Sequence, residues 1–106
     1  MRSNARKLDR GEMIRPSITL SFEDPADLLE IMTPSRLRLM RQVTQEAIAL
    51  SVLATALSRD PSAVRRDVAV LEGKHLLRTS RVSNPGHGVQ TLVERTAASI
   101  ELSATV

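Results

Sequence analysis

Apolar residues recur along the chain with two different periods. In Ser17-Ile18-Thr19-Leu20-Ser21-Phe22, Ile18, Leu20 and Phe22 alternate with hydroxyl residues, the period of two expected of a short half-buried strand. Beyond Asp24 the spacing lengthens to three and four. Leu28, Leu29 and Met32 supply one apolar face, and Leu37, Met40 and Val43 another, in a helix expected over 34–45. Leu50, Leu53, Ala54 and Leu57 follow i, i+3, i+4, i+7 in a helix read over 48–57. Val64, Val68 and Leu71 follow i, i+4, i+7 over 61–72. Four helices are therefore expected. Leu76 and Leu77 re-enter the core, 78–83 alternates weakly, and 89–94 reads as a returning strand. Ile100 and Leu102 share one face of a last segment, 99–102, suited to pairing with 18–22.

Polar residues place the ends of these elements. Asp24-Pro25, Thr33-Pro34 and Asp60-Pro61 each set a capping residue before a proline at the first helical position, where the missing N–H costs nothing. Gly73 can end the helix that begins at Pro61 by adopting positive φ. Asn84-Pro85-Gly86-His87-Gly88 is a dense turn signal, so 78–94 is read as a β-hairpin. Residues 1–15 carry no consistent apolar period and are read as a basic flexible arm, with 16–106 forming one domain.

Composition narrows the chemistry. Of 106 residues 42% are apolar, but Phe22 is the only aromatic, so the core must be built from Leu, Val, Ile, Met and Ala, which leans the fold toward helix. The absence of Cys excludes a disulfide scaffold, thiolate catalysis and cysteine-bound metal. No run reaches the roughly 18 apolar residues of a membrane span, and no apolar stretch follows the basic N-terminus. A soluble cytoplasmic protein is expected. The two histidines have no metal-ligand spacing, and Gly86-His87-Gly88 lacks the strand-then-helix setting of a phosphate loop. Glu23-Asp24 is explained by helix capping. No catalytic residue, cofactor or metal is expected, and the chain is read as a non-enzyme.

The net charge of +3 is modest, yet its distribution is uneven. Residues 16–33 hold four acidic side chains and no basic one, whereas 59–81 hold five arginines and one lysine. Arginine is the side chain suited to bidentate contact with phosphate and guanine.

Together these features have the order of a winged helix-turn-helix: two short helices around a tight Ser58-Arg59-Asp60 turn, Arg65 and Arg66 on the outer side of the second, then a hairpin bearing Arg78 and Arg81. The expected fold is mainly α with a small β component, namely a winged helix-turn-helix with an N-terminal strand and a β-hairpin wing. The helix over 61–72 would enter the major groove, whose width of roughly 12 Å admits a helix. Free N–H groups at its start favour a phosphate, and Ser62 and Ala63 are small enough for close approach. The candidate DNA-binding residues are Ser51, Arg59, Ser62, Ala63, Arg65, Arg66, Arg78, Arg81 and His87. Asp67 is expected to orient a neighbouring arginine, and His75 to be structural.

Leu50-Ser51-Val52-Leu53-Ala54-Thr55-Ala56-Leu57-Ser58-Arg59-Asp60, with Val64-Arg65-Arg66-Asp67-Val68 and Leu71-Glu72, resembles the small winged-helix regulators related to MarR proteins. Ser21-Phe22-Glu23 and Thr33-Pro34-Ser35-Arg36-Leu37 resemble more closely an antitoxin-like DNA-binding subgroup. The resemblance covers roughly residues 18–102. It implies a homodimer that binds double-stranded operator DNA, commonly at its own promoter, as a repressor. Members usually carry Gly where this chain has Ser58, and a Gly before the apolar pair where it has His75; Gly73, two residues earlier, is expected to take over the chain reversal. The alternative is an antitoxin or other partner-binding protein that neutralises a neighbouring gene product through residues 1–15 and the terminal strands. The strand 18–22, the helix after it and the C-terminal segment are the candidate dimer interface.

Overall fold

The computed structural model describes residues 15–86 and 88–106. Strand β1 (Arg15–Phe22) leads into helices α1 (Pro25–Ile31) and α2 (Pro34–Gln42). The two-residue strand β2 (Ile48–Ala49) runs directly into α3 (Leu50–Leu57), and α4 (Pro61–Gly73) follows after a tight turn. Strands β3 (Leu77–Asn84) and β4 (Gly88–Arg95) form a hairpin, and β5 (Ala97–Ala104) comes after it. Apart from Arg15, the basic arm read over 1–15 lies outside the described residues.

All three cap-plus-proline signals start helices. The Asp24 carboxylate accepts the Ala26 N–H at 2.9 Å, Thr33 Oγ1 that of Arg36 at 3.3 Å, and the Asp60 carboxylate that of Ser62 at 3.1 Å. The helix read over 48–57 begins two residues late. Ile48 and Ala49 instead pair with Val93 and Leu92, so their backbone groups are satisfied by β4 rather than by a first helical turn. The helix read over 34–45 stops at Gln42. There Val43 turns to extended backbone, the Thr44 carbonyl accepts the Arg95 N–H at 2.8 Å, and the Arg95 guanidinium donates to the Met40 carbonyl at 2.7 Å.

Helices α3 and α4 end alike. Arg59 N–H bonds the Ala54 carbonyl and Ser58 N–H that of Thr55; Leu76 N–H bonds the Leu71 carbonyl and His75 N–H that of Glu72. This is the Schellman pattern, with Ser58 (φ 54°) and His75 (φ 63°) in the left-handed position that glycine normally takes. The expectation that Gly73 makes the second reversal is thus corrected. Gly73 remains inside α4, because the buried Leu76 must bond back to the Leu71 carbonyl, and only His75 stands where the reversal has to occur.

The strands form two sheets. The three-stranded antiparallel sheet has the order β2-β4-β3, and its hairpin turns through Gly86 and Gly88, both at positive φ. β1 and β5 pair in parallel with Ile18 opposite Ile100 and Leu20 opposite Leu102, which realises the pairing read from their alternation. Ile18, Leu20 and Ile100 pack against a core of Leu39, Met40, Val43, Leu50, Leu53, Ala54, Leu57, Val64, Val68, Leu71, Leu76, Leu77 and Val93.

Two apolar faces read from the sequence change. Leu29 is 70% exposed and Leu37 37% exposed, whereas Leu39 is fully buried. The inward stripe of α2 is Arg36, Leu39, Met40 and Val43, the i, i+3, i+4, i+7 spacing with a charged residue in its first place. No helix among the described residues is long and apolar enough to cross a membrane.

Candidate nucleic-acid interface

Helices α3 and α4 are locked together by Leu53, Leu57, Val64 and Val68, all buried in one core. With Val64, Val68 and Leu71 turned inward, the 100° step between successive helical residues brings Ser62, Arg65, Arg66 and Ala69 to the surface, where all four are exposed. Arg65 and Arg66 leave the helix in different directions. Arg65 faces the hairpin across a groove of about 430 Å³ whose walls include Ala69, Glu72, Thr79, Arg81 and Thr91.

Glu72 fixes the width of that groove. Its carboxylate accepts the Thr79 hydroxyl at 2.8 Å and the Thr79 N–H at 3.3 Å, tying the last turn of α4 to β3. Arg81, two residues further along β3, is thereby held opposite Arg65 on the other wall. Two guanidinium groups thus line one concave surface between a helix and a β-ribbon, the shape and charge that suit a phosphate backbone. Among the described residues neither Arg65, Arg66 nor Arg81 makes an ion pair.

The other candidates are placed differently. Arg59 is turned inward, its Nη1 donating to Asp67 at 2.8 Å. The opposite oxygen of Asp67 accepts Arg36 Nε at 3.0 Å, and Arg36 Nη1 also donates to the Glu30 and Ile31 carbonyls at 3.2 and 3.1 Å. Burial pulls the Asp67 carboxyl upward, but the hydrogen bonds and charges of Arg59 and Arg36 outweigh it and hold the group below the usual carboxylate range. The expectation that Asp67 orients a neighbouring arginine is met twice over.

Arg78 pairs with Glu94, its cross-strand partner, at 3.0 Å, with 62% of its side chain exposed. Such an exposed pair is worth at most about 1 kcal/mol. Ser51 lies on the exposed side of α3 beside Val52 and Thr55, away from the groove between α4 and β3. At the start of α4 the Ser62 N–H is already taken by Asp60, Pro61 has none, and Ala63 is half-buried. His87 lies outside the described residues. Sequence reasoning passed over Glu72, Arg36 and Arg95 as working residues. The available signal was position: Arg36 and Asp67 each occupy a slot of an inward stripe, the latter between Val64 and Val68. Among the described residues no cluster of His, Asp or Glu is arranged to hold a metal ion.

Helix, tight turn, exposed second helix and β-hairpin, joined through one core, follow the order of a winged helix-turn-helix. Residues 31–87, more than half of the chain, match the HVO_A0114 family model, and the protein belongs to that family. The fold is similar to that of a "possible transcriptional regulator" from Methanosarcina mazei Go1, at 22% identity and a TM-score of 0.57, over 67% of this chain and 63% of that one. It is also similar to reduced HlyU from Vibrio cholerae N16961 (18% identity, TM-score 0.55, 69% of this chain and 73% of that one). NolR from Sinorhizobium fredii matches at 22% identity and a TM-score of 0.55, over 69% of each chain. The chain thus spans less than two thirds of the Methanosarcina protein. No curated protein matches the sequence significantly.

Proposed function

We propose that the protein is a sequence-specific DNA-binding transcriptional regulator whose helix α4 reads the major groove while the β3–β4 wing follows the adjacent backbone. The observation that carries this reading is the groove between α4 and the wing, with Arg65 on one wall and Arg81 on the other. Arg66, on the neighbouring exposed face of α4, reaches base edges or the opposite phosphate strand. Arg78 exchanges Glu94 for phosphate on binding. Ser51, Ser62, Ala63 and His87 complete the proposed contact surface, and Arg59 acts from behind it through Asp67. The fold shared with the Methanosarcina protein, described as a possible transcriptional regulator, favours the same class of function.

In the finer form of this reading the protein is a MarR-related cytoplasmic repressor that acts on its own promoter as a homodimer. One winged unit reads only a few base pairs, so a two-fold dimer would engage half-sites about one DNA turn apart. A second reading, an antitoxin-like protein that neutralises a neighbouring gene product, is favoured by the β1–β5 pair. That pair stands apart from the wing sheet and leaves one edge of each strand unpaired among the described residues.

The test is a gel shift with a fragment from the gene's own upstream region. The wild-type protein is expected to retard it, and Arg65→Ala with Arg66→Ala to abolish the shift with the helical circular-dichroism signal unchanged. Undiminished binding by that double variant would remove α4 as the reader.

A further inference from the structure

Both inward stripes that meet between α2 and α4 contain one charged residue. On α2 it is Arg36, ahead of Leu39, Met40 and Val43; on α4 it is Asp67, between Val64 and Val68. The Asp67 side chain is only 13% exposed, and each of its oxygens receives one guanidinium N–H, from Arg36 and from Arg59. Arg36 also satisfies two carbonyls in the last turn of α1, which lack partners within their own helix. The end of α1, the start of α2, the α3–α4 turn and the middle of α4 therefore converge on one carboxylate.

We infer that Asp67 is a positioning residue that fixes the rotation of α4 about its own axis, and with it the direction in which Arg66 meets the base edges while Arg65 and Arg81 hold the phosphate backbone. This deepens the DNA-binding reading proposed above and rests on it. Val64, Val68 and Leu71 set which face of α4 turns inward and Glu72 ties its last turn to Thr79, but the first two turns, which carry Arg65 and Arg66, have Asp67 as their directional contact to the α1–α2 junction and the α3–α4 turn. Charge-assisted hydrogen bonds from two sides are directional. In some proteins a largely shielded ionic group of this kind selects one packing arrangement over its neighbours, and that is the role inferred for Asp67. A roll of about 20° moves a side-chain tip lying about 6 Å from a helix axis by about 2 Å. That displacement breaks a base-edge hydrogen bond of about 3 Å while scarcely changing the attraction to phosphate.

Removing a negative charge beside DNA and freeing two arginines would, by Coulomb attraction alone, tighten binding to every sequence. Loss of position instead weakens binding to the chosen sequence only.

The experiment compares the full chain with Asp67→Asn, using a duplex selected from a random pool by the wild-type protein and a scrambled duplex of equal length, at several salt concentrations and well below the unfolding midpoint. Affinity for the selected duplex is expected to fall about 10- to 100-fold, with affinity for the scrambled duplex unchanged or tighter and its salt slope preserved. An unchanged ratio between the two duplexes in folded Asp67→Asn overturns the inference while leaving the DNA-binding reading intact. A wild-type protein that does not discriminate between the duplexes overturns that reading and the inference with it. Should Asp67→Asn not fold, Arg36→Lys keeps the charge but cannot span Asp67 and both α1 carbonyls; the same loss of ratio is expected, and an unchanged ratio is again contradictory.

Discussion

Arg59, in the turn between α3 and α4, and Asp67, eight residues later in α4, meet at 2.8 Å, which turns the Arg59 side chain away from solvent. A basic side chain in the turn of a helix-turn-helix is here part of the scaffold. Its partner carboxylate makes the stability of that scaffold depend on pH.

Because the two guanidinium groups hold Asp67 below the ordinary carboxylate range, its ionised form is favoured by folding. The stabilisation is present above the unfolded-state value of about 3.9 and is lost as pH falls through the depressed native value. Urea midpoints measured between pH 7 and pH 2 are therefore expected to drop more steeply for the wild-type protein than for Asp67→Asn. At neutral pH the variant is expected to be less stable by about 1–3 kcal/mol. Parallel curves would show that the carboxylate contributes nothing by being ionised.

Ser58 and His75 hold left-handed conformations, at φ 54° and 63°, without the freedom of glycine. The cost of such a conformation to an L-residue, about 1–2 kcal/mol, exceeds the entropy that glycine restores to the unfolded chain. Ser58→Gly and His75→Gly are each expected to stabilise the domain by about 0.5–1 kcal/mol, raising the thermal midpoint by several degrees. The effects should add, since the two ends lie on different helices. A lowered midpoint for His75→Gly would mean that its side chain makes contacts worth more than the strain.

Leu37 and Leu39 make a direct comparison on one helix. Leu39→Ala, at a fully buried position, is expected to cost about 2–5 kcal/mol, and Leu37→Ala about 1 kcal/mol or less. Equal losses in chemical denaturation would contradict the inward stripe described for α2.

Those two leucines also show where sequence legibility ends. Helix starts were readable because capping is local: Asp24, Thr33 and Asp60 act on N–H groups two or three residues away. The pairing of β1 with β5 could be read because Ile18, Leu20, Ile100 and Leu102 keep a period of two at both ends of the chain, whereas its parallel sense is fixed only by the packing of both strands on the core. On α2, by contrast, apolar residues at 37, 39, 40 and 43 fit two stripes equally well, and the deciding position, Arg36, is charged. Its inward direction follows from Asp67, 31 residues later, which no local pattern reveals. The outward arginines of α4 followed from the apolar spacing of Val64, Val68 and Leu71. The division of labour between Arg59 and Arg65 did not, because composition treats all arginines alike and only tertiary pairing separates them.

The central claim is that Arg65 and Arg81 grip one phosphate backbone from the two walls of a single groove. It is tested most directly by fluorescence-anisotropy titration of the selected duplex between 50 and 200 mM salt, comparing wild-type protein with the Arg65→Ala, Arg81→Ala double variant. Each lost phosphate contact lowers the salt slope by about one, so the double variant is expected to show a slope smaller by about two and an affinity at least about 100-fold weaker. Retention of both the wild-type slope and the wild-type affinity would contradict the account.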